Sequence, residues 1–155
     1  MRADDTYLAR MDHDASPVHV VCAACGAKNR IASARLGERP ICGRCGDALL
    51  DGEPVELTDD NFDVVTIGTE LPVLVDFWAP WCGPCHAMAP QFEQAAATLR
   101  GRALLAKVNS DDNPGVAARF GIRSIPTLVR LERGREVARQ SGAAPAAQIV
   151  RLATG

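Results

Sequence analysis

The sequence predicts an α/β fold, a mixed central sheet flanked by helices, preceded by a small module built around four cysteines. Three observations carry that expectation. From Val55 onward, apolar runs alternate with helical stretches in the order β-α-β-α-β-α-β-β-α, as in a sheet covered by helices. Before Val55, Cys22 with Cys25 and Cys42 with Cys45 stand in a stretch with little apolar material, too poor to bury a core of its own. Between the two regions, "DGEP" at 51–54 is a run of turn formers that reads as a linker. The chain therefore divides into 1–17 as a disordered tail, 18–50 as a four-cysteine zinc-binding module, 51–54 as linker and 55–155 as the α/β domain. An alternative start at Met11 is compatible with the polar tail.

Each element of the domain has a local reason. "VEL" at 55–57 is a short strand, and Thr58 is placed to cap a short helix through "DDNFDVVT". "LPVLVDFWA" at 71–79 is almost continuously apolar, which suits a central strand buried on both faces. A helix starting near Cys82 runs toward Arg100, with a kink expected at Pro90. "RALLAKVNS" at 102–110 is a second buried strand. In "DNPGVAARFG", Asn113 is the expected cap, Pro114 sits in the first turn and Gly121 stops the helix. "PTLVRL" and "REVARQSG", joined at "ERG", predict a hairpin. A closing helix at 145–152 turns Ile149, Val150 and Leu152 inward.

Composition narrows the function. The 155 residues are 47% hydrophobic and 23% charged, with a net charge of −2, so neither a general nucleic-acid binder nor a membrane protein is expected. The first seventeen residues hold four aspartates and no apolar core, so no secretory signal is expected and a reducing, cytoplasmic location follows. There, paired cysteines are metal ligands or redox catalysts more often than structural disulfides.

The third pair, Cys82 and Cys85, lies where a strand gives way to a helix. A cysteine at a helix N-terminus faces unpaired backbone N–H groups and the positive end of the helix dipole, which favour thiolate. Thiolate is the attacking species in disulfide exchange. Cys82 is thus the expected exposed attacker, and Cys85, three residues on along the same face, the sheltered resolver. The competing reading is half of a zinc site, which lacks a partner pair. Asp76 sits inside the apolar strand. Buried, its carboxyl would have a raised pKa and could take the Cys85 proton; at a solvent-facing edge it would be ordinary. Lys107, one of two lysines against fifteen arginines, is either its partner inside the sheet or a snorkelling side chain.

The early cysteines follow a Cys-x2-Cys-x16-Cys-x2-Cys spacing typical of structural zinc, with Gly26 and Gly46 able to turn backbone N–H groups toward sulfur. Lys28, Arg30, Arg35, Arg39 and Arg44 against Glu38 give this segment a local +4, which offsets the −2 of a zinc tetrathiolate. One structural Zn2+ on Cys22, Cys25, Cys42 and Cys45 is the expectation, with His19 at the surface; disulfides and an iron–sulfur cluster are the alternatives.

Taken together, "VDFWAPWCGPC", "AKVNSDDNPGVAARFGIRSIPTL" and "SGA" at 141–143 resemble the thioredoxin family. With "NRI", "CGRCG" and "LLDGE", the likeness extends over Val21–Gly155 to the second thioredoxin type of many bacteria, which carries an N-terminal zinc-binding extension. The resemblance implies the thioredoxin fold, protein-disulfide reductase activity, Cys82 as nucleophile, Cys85 as resolver and Asp76 as buried proton acceptor. It implies a cis Ile125–Pro126 bond and a docking surface of Trp81, Gly83, Pro84, Ile125, Pro126 and Gly142. It also implies a monomer recycled by thioredoxin reductase, with oxidised proteins as substrates and with NADPH and FAD supplied by that reductase. The chain has no nucleotide fingerprint of its own. Where relatives carry Lys or Arg after the second cysteine, His86 stands here, either as a pH-responsive neighbour or as plain surface. Other functional classes stay open: a zinc-ribbon interaction module, a zinc-linked redox sensor or holdase, and a net oxidase or isomerase.

Overall fold

The computed structural model describes residues 16–155. The tail expected at 1–17 and the alternative start at Met11 fall outside those residues, except that Pro17 already opens the first strand. Strands β1 (Pro17–Val21) and β2 (Lys28–Ala32) pair antiparallel as a hairpin. Then come β3 (Val55–Glu56), α1 (Phe62–Gly68), β4 (Val73–Trp78), α2 (Gly83–Thr98), β5 (Leu104–Asn109) and α3 (Pro114–Arg119). The chain closes with β6 (Thr127–Glu132), β7 (Arg135–Ser141) and α4 (Ala146–Thr154). The main sheet runs β3-β5-β4-β6-β7, with β3 and β4 parallel to β5 and the β4-β6 and β6-β7 pairs antiparallel. This is the mixed sheet between helices that the sequence predicts.

The central strand β4 serves two cores. Val73, Val75 and Phe77 pack with Phe62, Val65 and Val129 on one face. Leu74 packs with Met88, Phe92, Leu105, Leu128 and Ile149 on the other. A strand buried on both faces has no polar side to show, which is why it reads as one apolar run. Asp76 takes the position after Val75 in this alternation, so it lies on the α2 side, 1% exposed.

Two caps differ from expectation. The Thr58 hydroxyl accepts N–H bonds from Asp60 at 3.2 Å and Asn61 at 3.3 Å, making a turn that precedes α1 rather than capping it. Such local bonds compete with helix initiation and delay it to Phe62. Asn113 holds the cap position of α3, but its side chain makes no cap bond. The carboxylate of Asp59 does so instead, accepting from Gly115 N–H at 3.2 Å and Val116 N–H at 2.8 Å. Pro90 lies inside α2, which continues through it as one element.

The cysteine module has no separate core. Val20, Val21, Ile31, Leu36, Leu49 and Leu50 belong to the same cluster as Leu57, Phe62 and Val65 of the domain. Its backbone is stitched to the end of α1: Glu70 N–H donates to the His19 carbonyl at 2.8 Å, and Val21 N–H donates to Thr69 Oγ1 at 3.1 Å. Asn61 Nδ2 donates to the Ala23 carbonyl at 3.1 Å. The approach is closest at Gly68, where an added Cβ would stand 2.6 Å from Val21 Cγ2. Only hydrogen fits there.

Candidate functional site

At the C-terminal end of β4 the chain turns through Ala79–Trp81 into α2, and Cys82 occupies the cap position. Its backbone is extended and its sulfur accepts the Cys85 N–H at 3.2 Å. The four leading N–H groups of a helix lack intrahelical partners, and Cys82 places sulfur among them. Pro84 in the first turn gives up a donor that had no partner there. Cys82 and Cys85 are joined as a disulfide, with Cα atoms 5.3 Å apart. In this oxidised form each residue is 3% exposed, so Cys82 is not the open side chain expected of the attacker. The sulfur is shielded by the backbone that frames it, with the Ile125 carbonyl oxygen 3.7 Å away.

That carbonyl belongs to a cis Ile125–Pro126 peptide bond. Gly142 N–H donates to the Pro126 carbonyl at 2.8 Å, which ties the end of β7 to this loop. Trp81 is 72% exposed, and its Nε1 donates to Asp111 Oδ2 at 2.9 Å. Trp81 and Ile125 line one cavity of about 320 Å³ with Asp111, Ile122, Arg123 and Ser124. Of the expected docking residues, Trp81 and Ile125 line this cavity, Gly83 and Pro84 open α2 beside the disulfide, and Pro126 and Gly142 are joined to each other by their backbone bond. Asp111 was missed by the sequence reading. Its partner lies thirty positions away, and no local pattern marks the bond.

Asp76 is the buried carboxyl on the α2 side of β4. Desolvation pushes its pKa up to about 7, against the positive charge of Lys107 and with help from the negative charge of Glu56. Among the described residues neither carboxylate oxygen has a hydrogen-bond partner. Lys107 is its neighbour in strand register, but the ammonium lies over the Trp78 ring, 4.7 Å from the centroid. Lys107 therefore acts on Asp76 through its charge and not through a contact pair. His86 is exposed, with Nε2 2.6 Å from the Pro80 carbonyl oxygen and its ring edge-on to Trp78.

Far from this site in sequence, the other four sulfurs gather. All lie within 4.8 Å of one another, with Cys22 to Cys45 at 3.7 Å and Cys25 to Cys42 at 3.6 Å. A zinc tetrathiolate with Zn–S near 2.3 Å has sulfur–sulfur edges of about 3.8 Å, so the set fits a four-coordinate metal centre. None is in a disulfide. Two matching loops present them: Gly26 N–H donates to the Cys22 carbonyl and Gly46 N–H to the Cys42 carbonyl, with φ of 79° and 82°. The Cys42 thiol is lowered to about 6 by the backbone at Cys45, the Asn29 side chain and the backbone at Arg44. Asn29, also missed from sequence, bridges the two loops by accepting Gly43 N–H at 2.8 Å. His19 is not part of this set; its Nδ1 lies 3.0 Å from Glu70 Oε1.

Comparison with known proteins matches the chain to two family models. The one described as Thioredoxin covers residues 53–154, and the one described as Thioredoxin 2, N-terminal, a zinc ribbon, covers residues 21–47. Among curated proteins, Thioredoxin C-3 of Corynebacterium nephridii is 49% identical over 80% of this chain and 85% of its own length. The Thioredoxin of Haemophilus influenzae is 43% identical over 63% of this chain and 91% of its own. Thioredoxin M-type, chloroplastic, of Chlamydomonas reinhardtii is 39% identical over 77% and 88%.

Proposed function

From the premise that the chain belongs to the thioredoxin family, we propose how its residues divide the work of a protein-disulfide reductase. The protein is a thiol–disulfide oxidoreductase whose redox centre is Cys82 and Cys85. In the reduced form, the Cys82 thiolate, held by the amides that open α2, attacks one sulfur of a substrate disulfide. That S–S bond breaks, a Cys82–substrate disulfide forms, and the departing substrate thiolate takes a proton from water. Cys85 then gives its thiol proton to the Asp76 carboxylate and attacks Cys82 Sγ. The second substrate sulfur leaves, and Cys82–Cys85 closes. Two electrons have passed from the protein dithiol to the substrate.

A carboxyl titrating near 7 suits this duty, because it is substantially ionised at neutral pH yet basic enough to hold the proton. Trp81, Ile125 and Gly142 offer a shallow wall against which an extended segment of an oxidised protein can lie and pair with backbone. Family membership implies reduction of Cys82–Cys85 by thioredoxin reductase and disulfide-bearing substrates in general. NADPH and FAD belong, on this reading, to that reductase. Cys22, Cys25, Cys42 and Cys45 would hold one zinc ion, whose chemistry is structural: with four thiolates no coordination position is left for substrate. A monomer in the cytoplasm is the setting we assign; among the described residues no helix is long and apolar enough to cross a membrane.

The observation that carries the reading is the sulfur of Cys82 acting as the cap of α2. Insulin-disulfide reduction with NADPH and thioredoxin reductase tests it. Cys82→Ser is expected to abolish turnover, and Cys85→Ser to accumulate a covalent adduct with substrate. Full activity in Cys82→Ser would sink the assignment.

A further inference from the structure

Parallel pairing places three charged residues in one row. Glu56 on β3 is opposite Lys107 on β5, and Lys107 is opposite Asp76 on β4. In-register neighbours point to the same face of a sheet. Leu57, next to Glu56, joins the core on the α1 side, so Glu56 faces the α2 side with the other two. Lys107 therefore stands between two acids in the row, the inner one buried and the outer one at the sheet edge, with its ammonium over the Trp78 ring. Beside it, Gly52, Glu53, Pro54, Glu93 and Lys107 enclose a cavity of about 240 Å³. That is room for several water molecules at about 30 Å³ each. The linker thus builds one wall of the space next to Lys107.

We propose that Glu56 is a positioning residue for the exchange reaction: by sharing Lys107 with Asp76 it sets the pH at which Asp76 is ready to take the Cys85 proton. The inference rests on the reading of Asp76 as proton acceptor. Two charged groups act on Asp76: Lys107 favours its ionised form and Glu56 opposes it. Glu93 from α2 and Glu53 from the linker face Lys107 across the cavity. Glu56 itself is desolvated by its surroundings and pulled back toward ionisation by Lys107, so the ammonium serves both acids. When Cys85 is deprotonated, its S–H bond breaks and an O–H bond forms on Asp76. The proton then leaves Asp76 for water on the Lys107 side, and the base is restored.

The sign follows directly. Neutralising Glu56 removes a negative charge that opposes ionisation of Asp76 and competes for Lys107, so Asp76 should ionise at lower pH. Two strand spacings separate the charges, about 10 Å, and even full aqueous screening at that distance moves a titration by about 0.3 pH unit. The experiment follows the Asp76 carboxyl carbon by NMR across pH in the oxidised full-length protein, alongside the acid limb of insulin-reduction kcat/KM. Glu56→Gln is expected to lower the Asp76 midpoint by at least about 0.3 pH unit and to shift the acid limb the same way. Glu56→Asp should restore both, and Lys107→Met should move both upward. An unchanged Asp76 midpoint in Glu56→Gln overturns the inference, because loss of a merely structural role leaves that titration where it was. Asp76→Asn separates the two claims. If the acid limb persists in Asp76→Asn, the role of Asp76 itself is wrong; if it vanishes while Glu56→Gln moves nothing, only the role of Glu56 is.

Discussion

A single carboxyl, Asp76, carries a cost that should be visible in stability as well as in rate. Its ordinary value of 3.8 rises to about 7 in the fold because burial penalises the charged form first of all. Such a group holds its proton more tightly folded than unfolded, so between about pH 4 and pH 7 the folded state binds more protons and stability declines as pH rises. The difference of roughly three units corresponds to up to about 4 kcal/mol above pH 7. Asp76→Asn is therefore expected to stabilise the oxidised protein at pH 8 and to change little at pH 4, measured by denaturant unfolding at both values. Equal stabilisation at the two pH values would remove burial of charge as the cause. The same residue that stores the proton for exchange thus weakens the fold that holds it.

Secondary elements were legible in the sequence to the extent that their signals are local. The β4 run, the hairpin turn before β7 and the cysteine spacings all lie within a few residues of the structure they specify. Bonds that join elements were not legible. Asp59 caps α3 across more than fifty residues, and nothing near Asp59 or Pro114 announces it. Asp59→Ala should cost about 1 kcal/mol, the usual loss for a removed cap, read as a lower midpoint in denaturant with insulin reduction preserved. Gly68 is a second case. As the last residue of a helix it reads as a stop signal, yet its lack of a side chain is what lets Val21 seat against α1. Gly68→Val should loosen the cysteine module, raising hydrogen exchange at residues 18–21 while Cys82 and Cys85 keep their activity. Protection unchanged at those amides would mean the close approach is not needed. Glu56 was passed over for a related reason: in "VEL" it looks like a solvated strand residue, and only register shows what stands beside it.

At the level of the whole molecule, the two halves share one core: the cysteine-bearing stretch, too poor in apolar residues for a core of its own, adds its few to the domain's. Chelation of the proposed metal, or Cys22→Ser, should unfold residues 17–50 and take cover away from Leu57, Phe62 and Val65 as well. A loss of about 2–3 kcal/mol from that exposure would lower Tm by roughly 5–10 °C for a chain of this size. Insulin reduction should survive below the new Tm, since the module packs into the cluster on the α1 face of the sheet, whereas α2, which carries Cys85 and is capped by Cys82, packs on the opposite face. A Tm that does not move on metal loss would contradict the shared core. The order of chain synthesis adds a constraint of its own. Leu49 and Leu50 leave the ribosome about fifteen residues ahead of Val65, which at about 5–20 residues per second is an interval of roughly one to three seconds. Over that interval the core partners of Leu49 and Leu50 are missing. The ion proposed for Cys22, Cys25, Cys42 and Cys45 would give the first half a shape of its own, on which the emerging second half is then laid down.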